Sequence, residues 1–201
     1  MAFTFFFRDS HTLEQVAKYF LPQVAGYRKI KIWDAGCAMG PEPYTFLIIL
    51  AERMGYFTFK NVFMDATDID ETGHFGEIVT AGVYPDSDLK RIPEDIYNKY
   101  FSEYPEKPGH LIIDQNIRNR IKYTTHDLLS LKPIGRDYNL VICKNVLLHF
   151  QYEERIKVIK MYHSVLVPGG LFTTEQTQQM PEECSHLFKK MASDANVYQK
   201  I

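Results

Sequence analysis

Acids and an amide fall at the ends of apolar runs in this chain, and that pattern suits the holding of a nucleoside. Asp34 closes the run from Ile30, Asp68 closes the run from Asn61, and Asp127 follows the run ending at Tyr123. Asn145 follows Tyr138 to Cys143. A carboxylate at Asp68 can accept from both hydroxyls of a ribose; a solvated turn acid or helix cap is the structural alternative. Asp127 can accept from an adenine exocyclic amine while a neighbouring backbone N–H meets a ring nitrogen. Asn145 can meet the sulfonium end of a cofactor or an incoming nucleophile, or it can simply bond its own backbone in a turn. Glu42 can hold a positively charged amino group, although a helix dipole alone favours an acid there. Arg8 follows the aromatic run Phe3 to Phe7, and its planar fork fits a carboxylate. His149 can line the same site or be a core-edge histidine.

The cofactor class follows from the turn between Asp34 and Glu42, Asp-Ala-Gly-Cys-Ala-Met-Gly-Pro-Glu. A dinucleotide loop needs a middle glycine so that its backbone can approach a pyrophosphate. Ala38 stands there, between Gly36 and Gly40. S-adenosylmethionine has no phosphate to admit, so the spacing suits it better, and the sequence reads as a methyltransferase.

The elements that position these residues alternate between strand and helix. Ile30–Asp34, Asn61–Thr67, Tyr138–Cys143 and Leu171–Thr174 read as buried strands. A helix is expected from His11 to Val24, capped by Ser10 and kinked or ended by Pro22. Another spans Pro41 to Arg53 and stops at Gly55, and a third spans Tyr152 to Leu166. Helical pieces are expected over 71–80, 86–91 and 93–100, with Asp70 as the cap of the first. Leu111–Ile113 and Arg120–Tyr123 read as strands around a short helical piece, and Pro168-Gly169-Gly170 reads as a break. A last strand pair, Leu187–Met191 and Asn196–Lys200, would add an antiparallel edge. The fold class is therefore α/β, Rossmann-like, a mostly parallel sheet with helices on both faces. The 201 residues are expected to form one domain with a short insertion around 102–123.

Composition narrows the setting. Hydrophobic residues at 45% and charged residues at 24% are the balance of a water-soluble globular chain. A net charge of −2 without a basic run gives no footprint for nucleic acid. No apolar run is long enough to span a membrane, so no membrane insertion is expected. Cys37, Cys143 and Cys184 lack metal-like spacing, and reduced thiols in the cytoplasm are the plain reading. No metal is called for.

Taken together, the chain resembles the CheR-type glutamate methyltransferases of chemotaxis receptors over nearly its whole length. The resemblance rests on Thr4-Phe5-Phe6-Phe7-Arg8, Ile32 to Tyr44, Ala66-Thr67-Asp68-Ile69-Asp70, Ala81-Gly82-Val83-Tyr84, Asp127-Leu128-Leu129, Leu140 to Phe150 and Pro168-Gly169-Gly170. It implies methyl transfer from S-adenosylmethionine to a glutamate carboxylate, giving S-adenosylhomocysteine. It also implies cofactor contacts at Thr4, Arg8, Glu42, Asp68, Leu128, Lys144 and Asn145, beside the turn at Gly36 and the acid Asp127. Arg8 would in addition orient the acceptor. His149 stands where the family has an active-site tyrosine, Lys144 where it has arginine, and Asp127 where it has asparagine. With the aromatic-arginine motif at the fourth residue, the family's N-terminal helical domain is not expected. The acceptor, protein or small molecule, is left open. A methyltransferase using His149 as a base toward another group is the alternative, as is a non-catalytic S-adenosylmethionine-binding regulator.

Overall fold

The computed structural model describes residues 4–201, so Phe3 of the aromatic run lies outside the described residues. Helix α1 (Ser10–Gln23) leads to strand β1 (Ile30–Ala35), helix α2 (Pro41–Met54), the short α3 (Tyr56–Phe59) and strand β2 (Val62–Asp68). Next come α4 (Phe75–Ala81), β3 (Val83–Pro85), α5 (Glu94–Tyr100), β4 (Phe101–Glu103), β5 (His110–Ile113), α6 (Gln115–Arg118) and β6 (Ile121–Thr125). The chain finishes with β7 (Tyr138–Ile142), α7 (Tyr152–Val165), β8 (Leu166–Thr173), α8 (Glu182–Ser185), β9 (Phe188–Lys190) and β10 (Val197–Lys200).

Seven strands form the main sheet in the order β6-β2-β1-β7-β8-β10-β9. The first five run parallel, and β10 is antiparallel to both of its neighbours. Strand order reverses beside β1, between β2 and β7, and ligands of open α/β sheets collect at such a point, beyond the carboxyl ends of the strands. Ile30 and Ile32 face a core with α1 and α2, while Trp33 and Ala35 face a second core with α7. Both faces are covered, which explains the unbroken apolar run of β7.

Helix α2 is specified locally. Pro41 opens it, where its missing N–H costs nothing; Glu42 sits in its first turn and Arg53 in its last. Gly55 ends it at φ 69°. The helix is buried from Phe46 to Leu50 on every side, as a central helix must be.

Several sequence expectations are corrected. The insertion is a separate three-stranded sheet, β3-β5-β4, that begins at Val83, and β6 belongs to the main sheet rather than to the insertion. Ile121–Thr125 pairs with β2 because it returns the chain to the sheet edge beyond α4. Pro168-Gly169-Gly170 does not break the chain; it lies within β8 as an irregularity against β7, with Gly169 at φ 74°. A bulge accommodates the proline that a regular ladder would reject. Ser10 is already helical, and Asp9 holds the cap position at φ 48° without a side-chain cap bond. Pro22 falls in the last turn of α1, one residue before its end.

Candidate active site

A cleft of about 740 Å³ opens at the carboxyl ends of β1, β2, β6 and β7. Thr4, Arg8, Gly36, Glu42, Asp68, Asp127, Leu128, Lys144, Asn145 and His149 all line it, although they come from five separate stretches of chain. The volume suits a nucleoside-sized ligand.

The floor is the turn after β1. Gly36 and Cys37 donate their N–H groups to the Thr67 carbonyl at 2.7 and 2.9 Å, and Ala38 N–H donates to Asp68 Oδ2 at 2.8 Å. Asp68 therefore closes the turn; its Oδ1 also accepts from Asp70 N–H at 3.3 Å, and the residue lines the cleft. Gly36 has φ 106°, and a Cβ there would lie 2.1 Å from Val146 Cγ2. Gly40 has φ 101°, with the Tyr84 hydroxyl 2.6 Å from where a Cβ would stand. Neither position admits a side chain without moving its neighbours. The Tyr84 hydroxyl donates to the Met39 carbonyl at 2.7 Å, which ties the small sheet to the turn.

The wall toward α2 is charged. Lys144 Nζ, with its side chain fully buried, lies 3.0 Å from Glu42 Oε2 and 3.8 Å from Asp9 Oδ2. Burial pushes the Glu42 carboxyl above its ordinary range; the charge and hydrogen bond of Lys144 pull it back only in part. Below them Asp34 is 1% exposed, and neither of its oxygens has a hydrogen-bond partner among the described residues. Burial first, then the Glu42 charge, raises Asp34 well above the carboxylate range, with Lys144 opposing and Asp68 adding. Lys144 is shared among these acids, so burial of Asp34 is only partly offset.

The opposite wall carries the other polar groups. An Arg8 guanidinium N–H donates to Asn145 Oδ1 at 3.2 Å. Asn145 itself is left-handed at φ 59°, and its N–H donates to Glu175 Oε2 at 2.9 Å. Glu175, at the end of β8, thus holds the residue that holds Arg8. Sequence reasoning does not single it out, although an acid directly following the predicted strand Leu171–Thr174 is an available signal. Asp127 accepts from Leu129 N–H at 2.8 Å and is otherwise exposed to the cleft. His149 sits on a one-turn 3-10 helix, Leu147–His149, exposed at the rim.

Three aromatic residues close in sequence to the site residues point away from the main cleft. Tyr44 is buried and donates to the Val79 carbonyl at 2.6 Å, and Phe5 and Phe6 line a smaller side cleft of about 290 Å³. Phe6 packs edge-on against Tyr84 and Phe101 at 5.0 and 5.6 Å, so it anchors the N-terminal segment. The rings that do line the main cleft are Phe75 and Phe150. Asp70 is not the cap residue of α4; His74 is. The Asp70 carboxylate nevertheless accepts from the N–H groups of His74, Phe75 and Gly76.

This parallel sheet with an antiparallel edge, and an acid-lined cleft over a glycine turn at the strand reversal, define a class I S-adenosylmethionine-dependent methyltransferase. Residues 2–197 match the model of the CheR methyltransferase SAM binding domain, and the chain belongs to that family. A probable chemotaxis protein methyltransferase of Rhizobium etli is 26% identical over 92% of this chain and 70% of its own length. Chemotaxis protein methyltransferase 2 of Vibrio cholerae is 26% identical over 98% of this chain and 69% of its own. Among solved structures, PKMT2 of Rickettsia typhi in complex with AdoHcy covers 87% of this chain and 26% of that one, at TM-score 0.50 and 18% identity, a likeness of fold alone. No helix among the described residues is long and apolar enough to cross a membrane.

Proposed function

We propose that the chain transfers the methyl group of S-adenosylmethionine to a carboxylate, the side chain of a glutamate on a protein, by direct in-line displacement. The observation that carries this reading is the Arg8–Asn145 pair. It sets an anion-orienting guanidinium in the same cleft as the nucleoside-type acids Asp68 and Asp127. The names of the Rhizobium and Vibrio relatives support a protein acceptor.

The lining residues fit the cofactor. Asp68 accepts from the ribose hydroxyls with the lone pairs that Ala38 and Asp70 leave free. Asp127 and the Leu128 backbone meet the adenine. Glu42, with Lys144 behind it, faces the amino-acid end, and Gly36 lets the backbone approach; Thr4 closes the mouth. S-adenosylmethionine supplies an electrophilic methyl on a sulfonium centre.

The chain's own task is alignment and exclusion of water. A glutamate carboxylate, with an unperturbed pKa near ~4.3, is already ionised at neutral pH, so no general base is required. Arg8 aligns this anion, and Asn145 limits how far the guanidinium can close on it. Three free, buried cysteines support a reducing, cytoplasmic setting.

The test uses labelled methyl transfer to candidate proteins, with release of methanol by mild base as the signature of an ester. Asp68→Ala should abolish micromolar cofactor binding in a calorimetric titration. Arg8→Ala should keep the fold and lose about 100-fold in turnover, the scale expected of a lost alignment. A base-stable product would defeat the carboxylate reading. His149 at the rim favours a second one, an amine or phenol acceptor with the histidine as base. That reading predicts that His149→Phe abolishes transfer, whereas a carboxylate acceptor needs no base at that position.

A further inference from the structure

The cleft occupies the carboxyl ends of the parallel strands, and the opposite end of the same sheet has a different surface. There Tyr27 is 48% exposed, Tyr56 64%, Phe57 78% and Phe63 46%. Large aromatic side chains this open, and gathered at one end, are unusual on a soluble surface. The segments that carry them are joined. Asn61 donates to the Tyr27 carbonyl at 3.2 Å, Tyr56 and Phe57 meet edge to face at 5.7 Å, and Arg120 donates to the Lys60 carbonyl at 2.6 Å.

Cations accompany the rings. Lys60 lies over Phe57 at 5.5 Å, and Arg120 over Phe63 at 5.6 Å. The three segments that build this end, residues 26–31, 55–63 and 119–121, carry Arg28, Lys29, Lys31, Lys60 and Arg120 and not one aspartate or glutamate. The acids nearest along α1 and α2 are already paired, Glu14 with Arg53 and Glu52 with Lys99. Asp137 is the acid of the loop before β7, where it follows Arg136. A chain whose net charge is −2 therefore concentrates positive charge and exposed aromatic area at one end.

We propose that this end docks on the surface of an anionic lipid bilayer. Aromatic rings settle at the headgroup level, and neighbouring lysine and arginine side chains meet acidic headgroups. Neither signal anchors a protein well alone, and the two together do. The rings stand on the loop before β1, on the short helix α3 and at the start of β2, and all are open to solvent, which suits a fluid surface. Docking this way turns the cleft away from the lipid and leaves it open to cofactor. The inference does not depend on which group accepts the methyl.

The test is co-sedimentation of the full chain with vesicles of phosphatidylcholine alone or mixed with phosphatidylserine. Binding is expected only to the mixed vesicles, and it should weaken at least about tenfold between roughly 0.1 M and 0.5 M salt. Tyr56→Ser/Phe57→Ser and Arg28→Glu/Lys60→Glu should each lower it about tenfold or more while leaving cofactor affinity and thermal midpoint unchanged. Absence of binding to the mixed vesicles would overturn the proposal. So would equal binding to both vesicle types. Tighter binding, through these same residues, to single-stranded polynucleotide or to polyglutamate than to the vesicles would also overturn it.

Discussion

Asp34 and Asp70 are both buried acids near the carboxyl ends of neighbouring strands, at 1% and 8% exposure, and their surroundings are opposite. Asp70 accepts from three backbone N–H groups, from the Thr72 hydroxyl at 3.1 Å and from the Tyr123 hydroxyl at 3.2 Å. Burial pushes its carboxyl up, but the bonds from Phe75, Thr72, Gly76 and Tyr123 outweigh that and hold it below the ordinary range. Asp34 has no such donors and sits beside Glu42, so burial wins and its carboxyl moves up. Partners, not depth, decide which way a buried acid shifts. Asp70 spends its charge on organising the start of α4, whereas burial and the Glu42 charge disfavour the ionised form of Asp34.

The largest effect expected from disturbing this arrangement is at Lys144. Lys144→Met leaves Glu42 without its 3.0 Å counter-charge in a site that burial already makes costly. Breaking a buried pair by removing one partner costs roughly 3–5 kcal/mol. Chemical denaturation should register that loss, and Glu42→Gln/Lys144→Met should recover more than half of it. A double variant as unstable as the single one would mean that packing of the lysine stem, not charge, holds the site.

Asp70→Ala should come next. It strands three backbone donors at the start of α4, at a cost of about 1–3 kcal/mol. Because folding lowers the Asp70 pKa, its contribution is present above the unfolded value near ~3.9 and disappears as pH falls through the folded value. The gap in thermal midpoint between wild type and variant should therefore be wide at neutral pH and narrow on acidification below about pH 4. A gap that stays constant with pH would assign the loss to geometry alone.

How much of this could be read in the residues depends on range. Local signals were enough for α2, with its proline start and glycine stop, and for the acids Asp68 and Asp127, which need only a strand end to be placed. The Lys144–Glu42 pair joins residues about a hundred positions apart, and no local pattern announces it. Glu175 likewise acts on Asn145 across two strands of the sheet. The bulge in β8 was hidden because Pro168-Gly169-Gly170 is the ordinary signature of a turn, and only pairing with β7 and β10 keeps that segment in the sheet. The strand β6 looked like part of the insertion because its register with β2 is a tertiary fact. Asp34 reads as a site acid from its place at a strand end; its raised pKa follows from burial and then from Glu42, which the fold brings near.

Asp34→Asn is expected to have the smallest effect, and its sign is the sharpest test of the comparison. Folding raises the Asp34 pKa, so above the unfolded value near ~3.9 the native chain retains a proton that the unfolded chain has released. Each step upward in pH from there costs stability until the folded value is passed. Asparagine cannot titrate, so the variant should match wild type near pH 4 and gain on it as pH rises toward 7. Thermal unfolding of both proteins across that range measures the difference directly. A variant that instead loses stability steadily as pH rises would mean that Asp34 is ionised in the fold and paired with Lys144, and the contrast with Asp70 would collapse.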